Sequence, residues 1–497
     1  MATAALDDPA ARPAHSAQRT DVAALAVLAL AVLCLRLPLF GYPLATADEQ
    51  LYSLVGNAMT QGALPYVDVW DRKPFGLFAL FAAAHAVGGP GPEAYQALAA
   101  LFTFAGAWLT MALARPLVDR ITATGAGVLY VLLMGAYGSQ SGQSEAFHVP
   151  MILAMAVLLR DPGHPGAIRR AMLAMLVGGI ALQVKYTVLP QCVLLGLWAL
   201  WGRWQAGDGA GRVAIFAAAF AALGLLLTAI VAAIYALAGH FDAFIFANLL
   251  SFFDRAPSDA GRFHRDLAVG FLPLGTLAAC GIYAAARINR PRDPQHYRFI
   301  LLLLAGSLAT SFLPGTVYAY YFAAAVPASI LAALPLLDRA MPWRWSLLGL
   351  LVLALGWLQL QPAKWEERAA SEAAFDRLSA AIAPHVDGAD QCLWIFDGPT
   401  ALYGSTGSCL PTRFAYPDHL NNLLERGALG ISQTGEVARI LARRPPVVVT
   451  AAEPLTPQSE DARALVVATL ERDYRPLATG TLAGREITAW AHKPATE

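Results

Sequence analysis

Apolar residues in this chain gather into long runs parted by short polar segments. Runs of about 20 such residues predict helices that cross a bilayer. The first run extends from Val22 to about Tyr42. It is too long for a signal-peptide core and lacks a convincing cleavage site, so it predicts a retained first span. Further runs cover roughly 92–114, 121–138, 146–160, 171–189, 190–203, 213–238, 267–288, 299–314, 320–337 and 345–360. One more, Phe75 to Val87, is short and stops at Gly88-Gly89-Pro90.

Basic residues decide whether that short run crosses, because Lys and Arg collect in cytoplasmic loops. If it lies along the outer interface, five arginine-bearing loops share one side. They hold Arg115 and Arg120; Arg160, Arg169 and Arg170; Arg203 and Arg212; Arg287, Arg290, Arg292 and Arg298; Arg339 and Arg344. If it crosses, all of them move to the wrong side. The sequence thus predicts about eleven spans over 22–360, a cytoplasmic N-terminal tail over 1–21, and a re-entrant or interfacial helix at 75–87. The outer loops are then 44–92, 139–145 and 239–266, and the C-terminal part lies outside the cytoplasm.

From about Gln361 the pattern changes to that of a soluble domain over 361–497. Amphipathic helical segments around 364–384, 433–443 and 459–473 alternate with strand-like runs at 392–396, 446–450 and 487–491. That alternation predicts a small α/β domain.

Composition agrees with the pattern. The chain of 497 residues is 57% hydrophobic and 14% charged, where a soluble protein carries about a quarter charged residues. Its formal net charge is zero, which gives no electrostatic case for nucleic acid. Of the five cysteines, Cys34, Cys192 and Cys280 lie in apolar runs and read as small buried hydrophobes. Cys392 and Cys409 lie in the polar part, where an oxidising compartment would allow a disulfide or leave two thiols.

The first outer loop carries the chemistry. It opens with Thr46-Ala47-Asp48-Glu49, and Thr46 is a suitable N-cap for an amphipathic helix that ends before Gly62. Asp48 and Glu49 either complement the helix dipole or supply a general base just outside the bilayer. The loop continues Leu64-Pro65-Tyr66-Val67-Asp68-Val69-Trp70-Asp71-Arg72-Lys73-Pro74.

An acidic pair opening a helix with Tyr52, then PYVDVWDRKP, then a short apolar helix, resembles the first loop of polyprenyl-phosphate-dependent glycosyltransferases of the GT-C class. Within it the nearest resemblance is to bacterial lipopolysaccharide-core galacturonosyltransferases. Protein O-mannosyltransferases and the lipid A aminoarabinose transferase are more distant. That family has a second proline after the lysine, where this chain has Phe75. The Gln143-Ser144-Glu145 loop, Gly179 to Thr187, Tyr320-Tyr321 and the ALYGSTG…PTRFAYP stretch extend the likeness over most of the chain.

The resemblance implies a GT-C fold: a polytopic α-helical membrane protein with a small C-terminal α/β domain. It also implies a multi-pass inner-membrane protein with a periplasmic C-terminal domain, moving a sugar from a polyprenyl-phosphate carrier to a glycan, lipid or protein acceptor. It assigns Asp48 and Glu49 to catalysis and Lys73 to the donor phosphate. Lys185, an ionisable residue near the outer end of a span, joins Arg72 as a further candidate for that phosphate. Glu145 and Gln143, at the outer end of two spans, are candidates for sugar or acceptor, as are Tyr52, Asp71 and Tyr321. Lys73 and Lys185 also read as interface-snorkelling lysines, and Glu145 as a solvated loop residue. His148 reads as a packing residue. Arg255, Arg262 and Arg265 read first as solvated loop cations, and second as holders of a phosphate. No cofactor is demanded. No His/Cys cluster has zinc spacing, and two carboxylates in a loop do not argue for calcium, so a divalent cation has no support in the residues.

A transporter or flippase is the rival reading. It would place charges near the bilayer midplane, whereas Arg36, Glu145 and Lys185 map toward outer span ends. A non-catalytic scaffold, or an inactive family member, is the third.

Overall fold

The computed structural model describes residues 12–257, 260–314, 317–386, 388 and 390–494. The longer helices of the first half are α1 Arg12–Arg36, α2 Ala47–Thr60, α3 Phe75–Gly88, α4 Pro92–Ala114, α5 Arg120–Ala136, α6 Ser144–Leu159, α7 Ala167–Val184, α8 Leu189–Gln205 and α9 Ala210–Leu237. Helices Ala260–Arg287 and Pro294–Phe312, the segment Ala319–Leu337 and helix Arg344–Leu360 complete the apolar bundle.

Among the described residues, seven helical segments are long and apolar enough to cross a membrane: Asp21–Leu39, α4, α7, α9, Ala260–Arg287, Ala319–Leu337 and one beginning at Arg344. The other expected spans are helices that fall short of that length or apolarity. α6 is buried along most of its length, so it sits inside the bundle. α1 starts ten residues before the expected Val22, which shortens the polar tail; residues 1–11 of that tail lie outside the described residues. Cys34 and Cys280 are exposed and Cys192 is half-buried, contrary to expectation. Outward faces of these helices are apolar, so a thiol there meets no polar penalty in lipid.

α2 and α3 form a helical pair over the bundle. Thr46 caps α2 by accepting the Glu49 N–H at 3.3 Å, and Gly62, at φ +93°, follows its end. α3 spans 14 residues, about 21 Å, short of the hydrocarbon's about 30 Å. Gly56 permits the pair's close approach, since a Cβ there would stand 2.7 Å from that of Phe81.

Beyond Gln361, helix Pro362–Ile382 leads into a four-stranded sheet: β1 Trp394–Ile395, β2 Val447–Ala451, β3 Tyr474–Leu482 and β4 Arg485–His492, in the order β1-β2-β4-β3. β1 and β2 pair in parallel and the other pairs are antiparallel. β3 is an addition to the expected strands. Helices Gln433–Ala442 and Glu460–Asp473 fall where the pattern put them. Cys392 and Cys409 form a disulfide, with Cα atoms 4.8 Å apart.

Candidate active site

A cavity of about 750 Å³ opens where the loop between α2 and α3, the bundle and the C-terminal domain meet. The loop between α2 and α3 is built around Tyr66. Its backbone takes the left-handed φ of +71°, unusual for a bulky residue, so surrounding contacts must hold it there. They do. The buried ring packs on Phe78, Tyr235 and Phe244, and its hydroxyl donates to the Lys73 carbonyl at 2.9 Å. This turn delivers Asp71, Arg72 and Lys73 to the cavity wall.

Asp48, on the first turn of α2, faces the cavity. Its Oδ2 accepts from the Gln143 amide at 3.1 Å, the Tyr52 hydroxyl at 3.3 Å and the Tyr320 hydroxyl at 3.5 Å. The Lys73 ammonium lies 5.3 Å from the Tyr52 ring centroid. Burial disfavours the charged lysine, but Asp48 and Asp71 more than offset it and raise its pKa. Burial likewise opposes ionisation of Asp71. Lys73, a hydrogen bond from His419 at 3.2 Å and Arg72 outweigh it and hold the carboxyl well below the usual range.

Arg72 and Arg255 share Glu425. Arg72 meets it with both guanidinium ends, and Arg255 Nε lies 2.9 Å from its Oε1. Burial would raise the Glu425 pKa, but the two arginines pull it down to about 2. Arg255 also donates to the Tyr318 hydroxyl at 3.1 Å, and Arg262 lies over the same ring. These two arginines line the cavity instead of standing in solvent, which corrects the first reading of that loop; Arg265 is exposed. Glu425 supplies a buried counter-charge for Arg255, and Arg262 pairs with Asp266 at 3.8 Å.

Of the expected residues, Asp48, Asp71, Arg72, Lys73, Gln143, Lys185 and Tyr321 line the cavity. Glu49, Tyr52 and Glu145 do not. Glu49 points into the protein and accepts the Gly142 N–H at 2.5 Å. Tyr52 is buried under Asp48, and Glu145 is buried behind Lys185 in an ion pair. His148 is buried near that pair. Sequence reasoning did not find Tyr416, Asp418, His419 and Glu425, all on the C-terminal wall, or Asn248, which accepts from Tyr66 and Tyr186. Only the PTRFAYP stretch, which contains Tyr416, gave a signal. Apolar residues also line the cavity, among them Leu182, Leu225, Leu249, Phe252 and Phe253.

The fold is similar to that of solved structures. ArnT from Cupriavidus metallidurans bound to undecaprenyl phosphate matches with a TM-score of 0.61 and 15% identity, over 93% of this chain and 97% of that one. Its apo state gives the same figures. The archaeal oligosaccharyltransferase AglB from Archaeoglobus fulgidus, in complex with an inhibitory peptide and a dolichol-phosphate, matches with a TM-score of 0.50 and 13% identity, over 86% of this chain and 69% of that one. The chain has the GT-C fold. No protein-family model matches the sequence, and no curated protein matches it. Within this GT-C frame the cavity joins an apolar wall to a charged floor, a shape suited to a ligand that is lipid at one end and polar at the other.

Proposed function

We propose that the chain is a membrane glycosyltransferase that moves a sugar from a polyprenyl-phosphate carrier to a hydroxyl of a cell-envelope glycan, lipid or protein. The observation that carries this reading is the one cavity holding Asp48, Lys73 and the arginines beside an apolar wall. ArnT bound to undecaprenyl phosphate and AglB with a dolichol-phosphate support it as fold relatives.

In this reading the carrier's isoprenoid tail lies along Leu225, Leu249 and Phe252, and its phosphate faces Lys73, with Arg72 and Arg255 alongside. Asp48 takes the acceptor's hydroxyl proton as that oxygen attacks the anomeric carbon. The bond from that carbon to the phosphate oxygen breaks, and the polyprenyl phosphate leaves with the electron pair. Its growing charge needs a cation and no general acid, which is the work of Lys73. One displacement inverts the anomeric configuration. The displacement as written requires no metal or other cofactor.

The test uses purified full-length wild type and Asp48→Asn with radiolabelled polyprenyl-phosphate hexoses and a membrane glycan extract. Label reaching the acceptor with wild type, and at least about 100-fold less with the folded variant, is expected. Undiminished transfer by the variant moves the base elsewhere. Failure of wild type to bind any polyprenyl phosphate overturns the reading.

A further inference from the structure

The charges around Asp48 are matched in a way that bears on the donor's sugar. Lys185 sits on the cavity wall with its ammonium 4.5 Å from the Tyr321 ring centroid and 6.0 Å from that of Tyr320. The Tyr320 hydroxyl in turn reaches Asp48. A sugar presenting its anomeric carbon to an acceptor activated by Asp48 must rest on this tyrosine shelf, with Lys185 against it. Lys185 is not an open cation, however. It is ion-paired with Glu145, whose side chain is 1% exposed and does not reach the cavity.

We infer that the paired Lys185 and Glu145 under the tyrosine shelf select a donor whose sugar is uncharged. The inference rests on the polyprenyl-phosphate-sugar reading of the cavity. A hexuronic acid would bring a carboxylate beside Asp48 and need a cation of its own. Arg72 and Arg255 are committed to Glu425, Arg262 to Asp266 and Lys185 to Glu145, and the proposed function commits Lys73 to the phosphate. A charge removed from water without a partner is expensive, so such a sugar is disfavoured. An amino sugar meets the opposite obstacle. Among the described residues, every hydrogen bond that Asp48 accepts comes from a neutral group, so a sugar ammonium would pair with Asp48 and occupy the base. A neutral hexose fits both constraints. Its hydroxyls find the Gln143 amide and the Lys185 N–H groups, and its C–H face finds the aromatic rings.

The experiment needs no acceptor. Full-length protein in detergent is loaded with a fluorescent short-chain polyprenyl phosphate, which is displaced by the same phosphate bare or carrying a neutral hexose, a hexuronic acid or a hexosamine. The neutral hexose donor is expected to bind at least ten-fold more tightly than either charged one. Glu145→Gln, which frees the Lys185 charge, is expected to narrow the gap for the hexuronic acid donor alone. A charged donor that binds as well as the neutral one overturns the inference. So does a folded Glu145→Gln protein whose discrimination is unchanged. Bare polyprenyl phosphate that fails to displace the probe overturns the carrier reading itself, and the inference with it.

Discussion

Arg72, in the loop between α2 and α3, holds the carboxylate of Glu425 with both ends of its guanidinium, across 353 residues of sequence. Arg255 closes on the same carboxylate, so one buried anion fastens a loop of the bundle and a loop of the C-terminal domain to each other. Removing one member of a buried pair leaves charges without a partner, at a cost of about 3–5 kcal/mol. Glu425→Ala is therefore expected to lower the unfolding midpoint by several degrees and to speed proteolysis of the C-terminal domain. A variant melting with wild type would mean the contact is screened by water.

Lys73 is expected to matter for chemistry more than for stability. Lys73→Gln should lower kcat about 100- to 1,000-fold, as loss of one group stabilising a developing charge does. Carriers whose phosphate is a better leaving group should recover part of the rate. Equal loss with every leaving group would move Lys73 from the reacting phosphate to the structure of the loop.

Glu49 predicts a pH dependence with a definite sign. Burial raises its pKa to about 7 from 4.5, despite the Gly142 N–H and Arg36. The folded chain thus keeps a proton that the unfolded chain releases. This group leaves stability intact below about pH 4.5, erodes it as pH rises toward 7, and holds the deficit constant above, roughly 3 kcal/mol in all. Glu49→Gln should flatten that part of the melting-temperature profile between pH 5 and 8. A profile parallel to wild type sinks the assignment.

The disulfide joins residues 17 apart, a loop whose closure contributes about 3 kcal/mol by chain entropy. Cys392→Ala with Cys409→Ala should lower the melting point of the full chain, and reductant should do the same to wild type but not to the double variant. Identical melting of all three would make the bond incidental.

Legibility in the sequence followed the range of the interaction. The spans, α2, α3 and the Asp48-to-Lys73 loop are local patterns: apolar runs, an N-cap and breakers at Gly62 and Gly89. Glu425 and His419 could not be read, because each pairs with a partner more than three hundred residues away and sits in an ordinary polar stretch. β3 was missed for a local reason. Tyr474–Leu482 has polar and small residues on the face it exposes, and a register shift at Pro476 breaks its alternation. Lys185 was legible as an intramembrane cation, but not its neutralisation by Glu145, which depends on how α6 and α7 pack.

Trp70 belongs to the loop between α2 and α3, yet its ring packs with Phe414, His419 and Phe246, and its backbone N–H donates to the Arg413 carbonyl at 2.8 Å. The core on which the sheet rests also takes in Tyr42 and Leu44. These residues leave the ribosome early, and their partners leave it last. A chain inserted up to its final span has a first loop with nothing to close upon, and a charged floor with one wall missing. A complete cavity then arrives only with the last hundred or so residues, so an unfinished or truncated chain holds the bundle's half of the lining without the half that closes it.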